Sequence, residues 1–274
     1  MCNEIERGTL PAPALAKDDN EYMAPLHLAG RLIMENGGET YRVEETITRM
    51  GHAFGFAEVE SFAVPSGIFI SYRKGDGNIE TAVKRVRKGA TDLIRVDAVN
   101  AISRQMEAEK LTCEEAMERL KAVENRRAQL TKWQLMLALG LSSGGWAVMF
   151  GGAGWDAAVA FVVSTLAQGI AFLLDRARMR SLVGTLTGCF LSTILPMFFH
   201  MFTGLLVTDA CIAACLMPML PGLAMTNAVQ DTMRGDMVSG IASATSAALT
   251  AAMVAGGALI GTTVFRLLTG GVVG

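Results

Sequence analysis

The sequence predicts an α-helical polytopic membrane protein of about five transmembrane helices preceded by a small α+β cytoplasmic domain. Charge is segregated along the 274 residues: it crowds the region before Trp133, and afterwards only Asp156, Asp175, Arg176, Arg178, Arg180, Asp209, Asp231, Arg234, Asp236 and Arg266 remain. The later region is a succession of uncharged runs close to the ~20 residues that cross ~30 Å of hydrocarbon at ~1.5 Å per residue. The mean hydropathy of +0.36 lies between that of a soluble enzyme and that of an all-membrane protein. The net charge of −2 averages two unlike regions, so it favours no particular partner, and nucleic acid is not suggested.

Residues 1–21 have early acidic residues and no apolar core, so they read as a disordered tail and not as a signal peptide. The cytoplasmic domain is expected over 22–130. From Tyr22, Leu26, Ala29, Leu32 and Ile33 recur at helical spacing, and Asn36-Gly37-Gly38 supplies a stop. A second helix over 40–54 aligns Val43, Ile47, Met50 and Phe54 on one stripe, forming a hairpin with the first. Residues 58–73 read as strand, turn and strand around Pro65-Ser66-Gly67, and 80–87 as a third strand carrying Val83 and Val86. Its basic residues, Lys84, Arg85, Arg87 and Lys88, suit a strand edge guarded by charge. Leu93, Val96, Val99, Ala101 and Ile102 are spaced for burial on a further helix, and Thr112-Cys113-Glu114-Glu115 is a capping box opening another.

The transmembrane domain is expected over 131–274, with spans near 133–152, 155–174, 181–202, 207–228 and 237–265. Trp146 and Trp155 suit the interface, the run 175–180 an aqueous loop, and the small residues of the last span close helix contact. Lys132, Arg176, Arg178, Arg180 and Arg234 fall on the side of the first domain, which places that domain in the cytoplasm by the positive-inside rule. The fourth span is interrupted. Pro218, Pro221 and Gly222 break it before a polar Thr226-Asn227 pair, and broken helices at membrane depth are tolerated where they are buried in protein or line a wet cavity. A helix restarting after Pro221 points backbone amides inward, which favours an anion such as a carboxylate. Thr226 and Asn227 could then add hydrogen bonds, with Asp231 as a proton or ammonium partner, although a kinked packing helix and a solvated Asp231 account for the same residues.

The five cysteines show no C-x-x-C or His-rich spacing, so neither zinc nor a disulfide framework is indicated. No phosphate-binding G-x-x-x-x-G-K-[ST] loop occurs, and no cofactor or catalytic group is assigned.

Two stretches, AGRLIMENGGETYRVEETITRMGHAFG at 29–55 and MPMLPGLAMTNAVQD at 217–231, resemble the threonine/serine exporter family, in particular its YjjP-type half. The resemblance falls on Glu35, Asn36, Gly37, Glu39, Thr40, Tyr41, Arg42 and Glu44 in the first stretch, and on Pro218, Pro221, Gly222, Thr226, Asn227 and Asp231 in the second. It implies an exporter in the bacterial cytoplasmic (inner) membrane, acting on small carboxylate-bearing metabolites: threonine, serine, or a dicarboxylate such as succinate. Single-chain members continue into a second half where this chain stops at Gly274, which implies a YjjB-type small membrane subunit as partner and a homo- or hetero-oligomer in the lipid bilayer. The first motif suits gating, or equally a hairpin turn with a capping carboxylate and a buried tyrosine. Two other functions remain open: a membrane-bound enzyme using Glu39, Glu44 and His52, and a ligand sensor whose spans only anchor the cytoplasmic domain.

Overall fold

The computed structural model describes residues 20–87, 91–109, 111–127, 130–176, 181–205 and 207–270. The expected tail lies outside these except for its last two residues, as do Arg178 and Arg180 of the arginine loop. Two compact units make up the chain, Met1–Arg127 with Leu223–Ala244, and Ala128–Gly222 with Thr245–Gly274.

In the first unit, α1 (Asn20–Glu35) and α2 (Thr40–Ala53) are joined by a short turn. Gly37 sits there at φ 85°, a left-handed conformation that costs glycine nothing, and Gly38 N–H closes the end of α1 on the Ile33 carbonyl at 2.9 Å. The expected stripe of α2 is buried, with Val43, Ile47 and Met50 fully enclosed. Next come β1 (Val59–Val64), β2 (Gly67–Arg73) and β3 (Ile79–Arg85), an antiparallel sheet in the order β1-β2-β3. Ala63, Ile68, Ile70 and Tyr72 face the core. The register sets Phe62 opposite Phe69 and Phe69 opposite Val83, a row across the open face. Val83 is therefore exposed and only Val86 is buried, because residues three apart cannot share one face of a strand.

Val96, Val99, Ile102 and Met106 of α3 (Leu93–Glu109) enter the same core, while Leu93 in its first turn stays exposed. The capping box of α4 (Cys113–Glu124) forms as expected. Thr112 accepts from Glu115 N–H at 3.3 Å and donates its own amide to Glu115 Oε2 at 2.8 Å.

The second unit contains α5 (Lys132–Met149), α6 (Gly154–Arg176), α7 (Ser181–Thr203), α8 (Thr208–Leu216) and most of α10 (Met237–Thr269). Small residues mediate its packing. Ser143 of α5 hydrogen-bonds Ser164 of α6 at 2.8 Å, and a Cβ on Gly140 would lie 2.8 Å from the Phe161 carbonyl. Buried Asp156 ties two connections together, accepting from the amides of Ala153 and Val207, each at 2.8 Å.

The fourth expected span is interrupted where its prolines lie. α8 gives way to a 3-10 turn, Met217–Met219, which contains Pro218; Leu220 is extended, and α9 (Gly222–Met233) begins directly after Pro221. Leu220 cannot stay helical, because the following proline ring crowds its backbone. Among the described residues, three helices are long and apolar enough to cross a membrane: Gly154–Leu174, Leu182–Thr203 and Met237–Thr269. The bent pair Thr208–Met219 and Gly222–Met233 makes up to four. α5, the first of the five spans expected, misses that standard because its 18 residues open on Lys132, Trp133 and Gln134.

Candidate functional site

Within the first unit, α9 and the residues just after it meet the turn between α1 and α2. Asn227, Asp231 and Arg234 recur at spacings of four and three, so they lie along one side of a helical path. Each reaches the first sequence motif. Asn227 Nδ2 donates to the Gly37 carbonyl at 3.2 Å. Asp231, 2% exposed, brings its carboxylate to the hydroxyl and amide of Thr40 in the first turn of α2. The Arg234 guanidinium lies over the Tyr41 ring, 3.6 Å from its centroid.

The approach of Asp231 to Thr40 is incomplete. Asp231 Oδ1 and Thr40 Oγ1 are both buried, and neither has a hydrogen-bond partner at normal geometry. The amides at the start of α2 carry the positive end of the helix dipole, so a carboxylate is stabilised there even before a hydrogen bond closes.

Glu39 occupies the N-cap of α2 but does not cap it with its side chain. Its carboxylate instead takes the Arg42 Nε–H at 2.7 Å. Burial acts to raise the Glu39 pKa, but the Arg42 hydrogen bond, the backbone and the charges of Arg42 and Arg234 outweigh it and hold the carboxyl below its ordinary value. The capping carboxylate of the turn reading thus belongs to Arg42, and Tyr41 is half-buried between two arginines and not enclosed in the core. Asn36 is buried and donates to the Leu32 carbonyl at 2.6 Å, and Glu35 pairs with Arg31 at 3.6 Å, so both stabilise the end of α1.

Glu44, one turn further along α2, accepts from the Ala63 amide at 2.8 Å and so satisfies a donor on edge strand β1. Burial raises its pKa most; the Ala63 hydrogen bond opposes this, and the charges of Asp236 and Asp231 add to the rise. Beside it, α2 and the sheet enclose an open groove of about 1220 Å³, with Tyr41 and Arg234 among its walls. His52 also lines the groove, with its Nδ1 3.0 Å from the Phe56 carbonyl.

The residues singled out in the fourth span divide between the units. Pro218, Pro221 and Gly222 belong to the second, and Thr226, Asn227 and Asp231 to the first. The Gly222 amide bonds the Leu220 carbonyl at 2.9 Å, and Thr226 is exposed. Arg234 was not legible as a site residue from the sequence, where it served only to orient the membrane; its helical spacing from Asn227 and Asp231 was the available signal. No group of His, Cys, Asp or Glu among the described residues is arranged to hold a metal ion.

A sequence profile described as "Putative threonine/serine exporter" (ThrE) matches residues 26–265. Among curated proteins the chain is similar to the "Probable succinate transporter subunit YjjP" of Klebsiella aerogenes, with 28% identity over 201 residues, 73% of this chain and 76% of the relative. The protein of the same description in Escherichia coli K12 is 27% identical over 209 residues, 74% of this chain and 78% of the relative. No solved structure matches. The profile covers both motifs, and the family is one of transporters and not of enzymes, which removes the catalytic reading of Glu39, Glu44 and His52. On the profile match, the apolar helices and the two motifs together, the chain belongs to the threonine/serine exporter family of membrane transporters.

Proposed function

We propose that this chain is one subunit of a gradient-driven exporter of small carboxylate-bearing metabolites, threonine and serine or a dicarboxylate such as succinate, working with a YjjB-type membrane partner. The observation that carries the reading is the buried Asp231 carboxylate at the start of α2, with Oδ1 and the neighbouring Thr40 Oγ1 both lacking a hydrogen-bond partner. A buried carboxylate is costly unless it binds a proton or a cationic group, and either serves a transport cycle. That the similar proteins of Klebsiella aerogenes and Escherichia coli are described as transporter subunits supports the partner.

In this proposal the chain crosses the inner membrane five times, α5 included, with residues 22–130 in the cytoplasm. The break at Pro218, Pro221 and Gly222 keeps α8 and α9 from merging into one rod, and Thr226 and Asn227 contribute polar contacts to the substrate. The Glu35 to Glu44 motif couples the state of Asp231 to the cytoplasmic domain through Gly37, Thr40 and Tyr41.

Efflux from preloaded cells expressing the chain with a YjjB-type partner tests the reading. Asp231→Asn is isosteric and removes the titrating group, so flux falls by about tenfold or more while the amount of protein in the membrane is unchanged. Asn227→Ala removes its bond to Gly37 and lowers flux by the equivalent of about 1–3 kcal/mol. Wild-type flux from both variants would sink the proposal.

A further inference from the structure

The open groove between α2 and the sheet was not anticipated from the sequence. It has one feature of a ligand site, an arginine held over an aromatic ring with no ion pair among the described residues. The groove contains two arginines, and they are differently placed. Arg49 is neutralised, paired with Glu45 at 2.5 Å and Glu107 at 3.5 Å. Arg234 makes no ion pair among the described residues, its charge reaching the Glu39 carboxyl only through space, and its guanidinium carbon lies over the Tyr41 ring, 3.6 Å from the centroid. A guanidinium held over an aromatic ring by cation–π attraction keeps N–H groups free for bidentate capture of a carboxylate.

The remaining charges bear on what else the ligand carries. Against Arg49 and Arg234 the groove sets Glu44, Glu45, Glu60 and Glu107. Among the described residues Glu60 makes no ion pair, and the Glu44 carboxylate is engaged by the Ala63 amide and by no cation. A ligand with a second carboxylate would meet surplus negative charge, whereas an ammonium group would be attracted to it. Phe62 and Phe69, with ring centroids 6.1 Å apart, give the floor an apolar strip that a short side chain can cover.

We propose that this groove is a binding site for a small zwitterionic amino acid, with Arg234 on its Tyr41 platform taking the carboxylate and Glu44 and Glu60 facing the ammonium group. The site lies wholly in the first unit. It deepens the exporter proposal, on which the choice of ligand class rests, by placing selection of substrate on that unit.

The test is calorimetric titration of the purified full-length chain in detergent with L-threonine and, separately, succinate. L-threonine binds the wild type. Arg234→Gln weakens it by about tenfold or more, and Arg234→Lys, which keeps charge but loses the fork, by a smaller factor. Tyr41→Leu, which removes the platform and leaves Arg234 intact, weakens binding in the same direction. Arg234 is exposed, so the folding of its variants is checked by an unchanged melting temperature. Unchanged L-threonine affinity in Arg234→Gln, no L-threonine binding to the wild type, or succinate binding as tight as L-threonine would each overturn the site. Flux measured in parallel with the partner present separates the two proposals. Export by a wild type whose affinity ignores Arg234 removes the groove and keeps the exporter, whereas Arg234-dependent binding without any export does the reverse.

Discussion

Where the first unit buries Leu26, Ile33, Ile47, Met50, Ile68 and Tyr72, each less than 2% exposed, the second encloses Ala147, Ala160, Cys211, Ala214 and Cys215 and turns Leu141, Leu166 and Leu173 outward. Phe265, edge-on to Phe198, is the large exception in the second unit. The difference follows from the solvent each unit answers to. Water drives large apolar side chains inward at about 25 cal/mol per Å² removed from contact with it. Lipid supplies no such drive, because its tails are as apolar as leucine; helices associate through close backbone approach, which small residues permit.

The largest effect is expected where the first unit depends on the hydrophobic drive. Ile47→Ala leaves a cavity between α1 and α2, and about 2–5 kcal/mol of unfolding free energy is lost, read from denaturant melts. A loss below the range of ordinary surface substitutions, about 0.5 kcal/mol, would mean that this core is not packed as described. The second substitution can break the comparison outright. Leu141 is 71% exposed, and Leu141→Arg costs about 2.5–3.5 kcal/mol near the middle of a span but almost nothing on a water-facing surface. Normal membrane insertion and stability in that variant would place this face of α5 in water.

A smaller change sharpens the contrast from inside the second unit. At Gly140 an added Cβ meets Thr165 Oγ1 as well as the Phe161 carbonyl. Gly140→Val therefore costs about 1–3 kcal/mol through forced separation of α5 and α6, seen as a lower melting temperature in detergent. An unaltered melt would show that the close approach contributes nothing.

The smallest effect concerns pH. The Glu44 carboxyl is raised above its ordinary value, so the folded state holds the proton more tightly than the unfolded chain does. Stability then falls as pH rises from the ordinary glutamate value, about 4.3, through the raised one. Glu44→Gln removes that slope, and melts between about pH 4 and about pH 7 record it. A variant with the slope of the wild type would assign the pH dependence to other groups.

Much of the architecture was legible because it is local. The Thr112 capping box, the left-handed Gly37 turn and the break at Pro218 and Pro221 are each set by a few adjacent residues, through hydrogen-bonding groups and backbone angles that do not depend on the rest of the chain. Charge segregation likewise separated an aqueous region from apolar runs, since hydrocarbon excludes ionised groups wherever they occur in the chain. The span count was less secure, because Lys132, Trp133 and Gln134 stand at the edge of an apolar run and hydropathy alone does not place that edge.

Only the tertiary structure decided the site. Asn227 and Gly37 are 190 residues apart in sequence, and no periodicity links such positions. The spacing of Asn227, Asp231 and Arg234 establishes that they share a face, but not that the face is turned toward the start of α2. That choice depends on which surfaces pack together when the whole chain folds, and so Glu39, at the N-cap of α2, pairs with Arg42 while Asp231, from a distant helix, approaches the same turn.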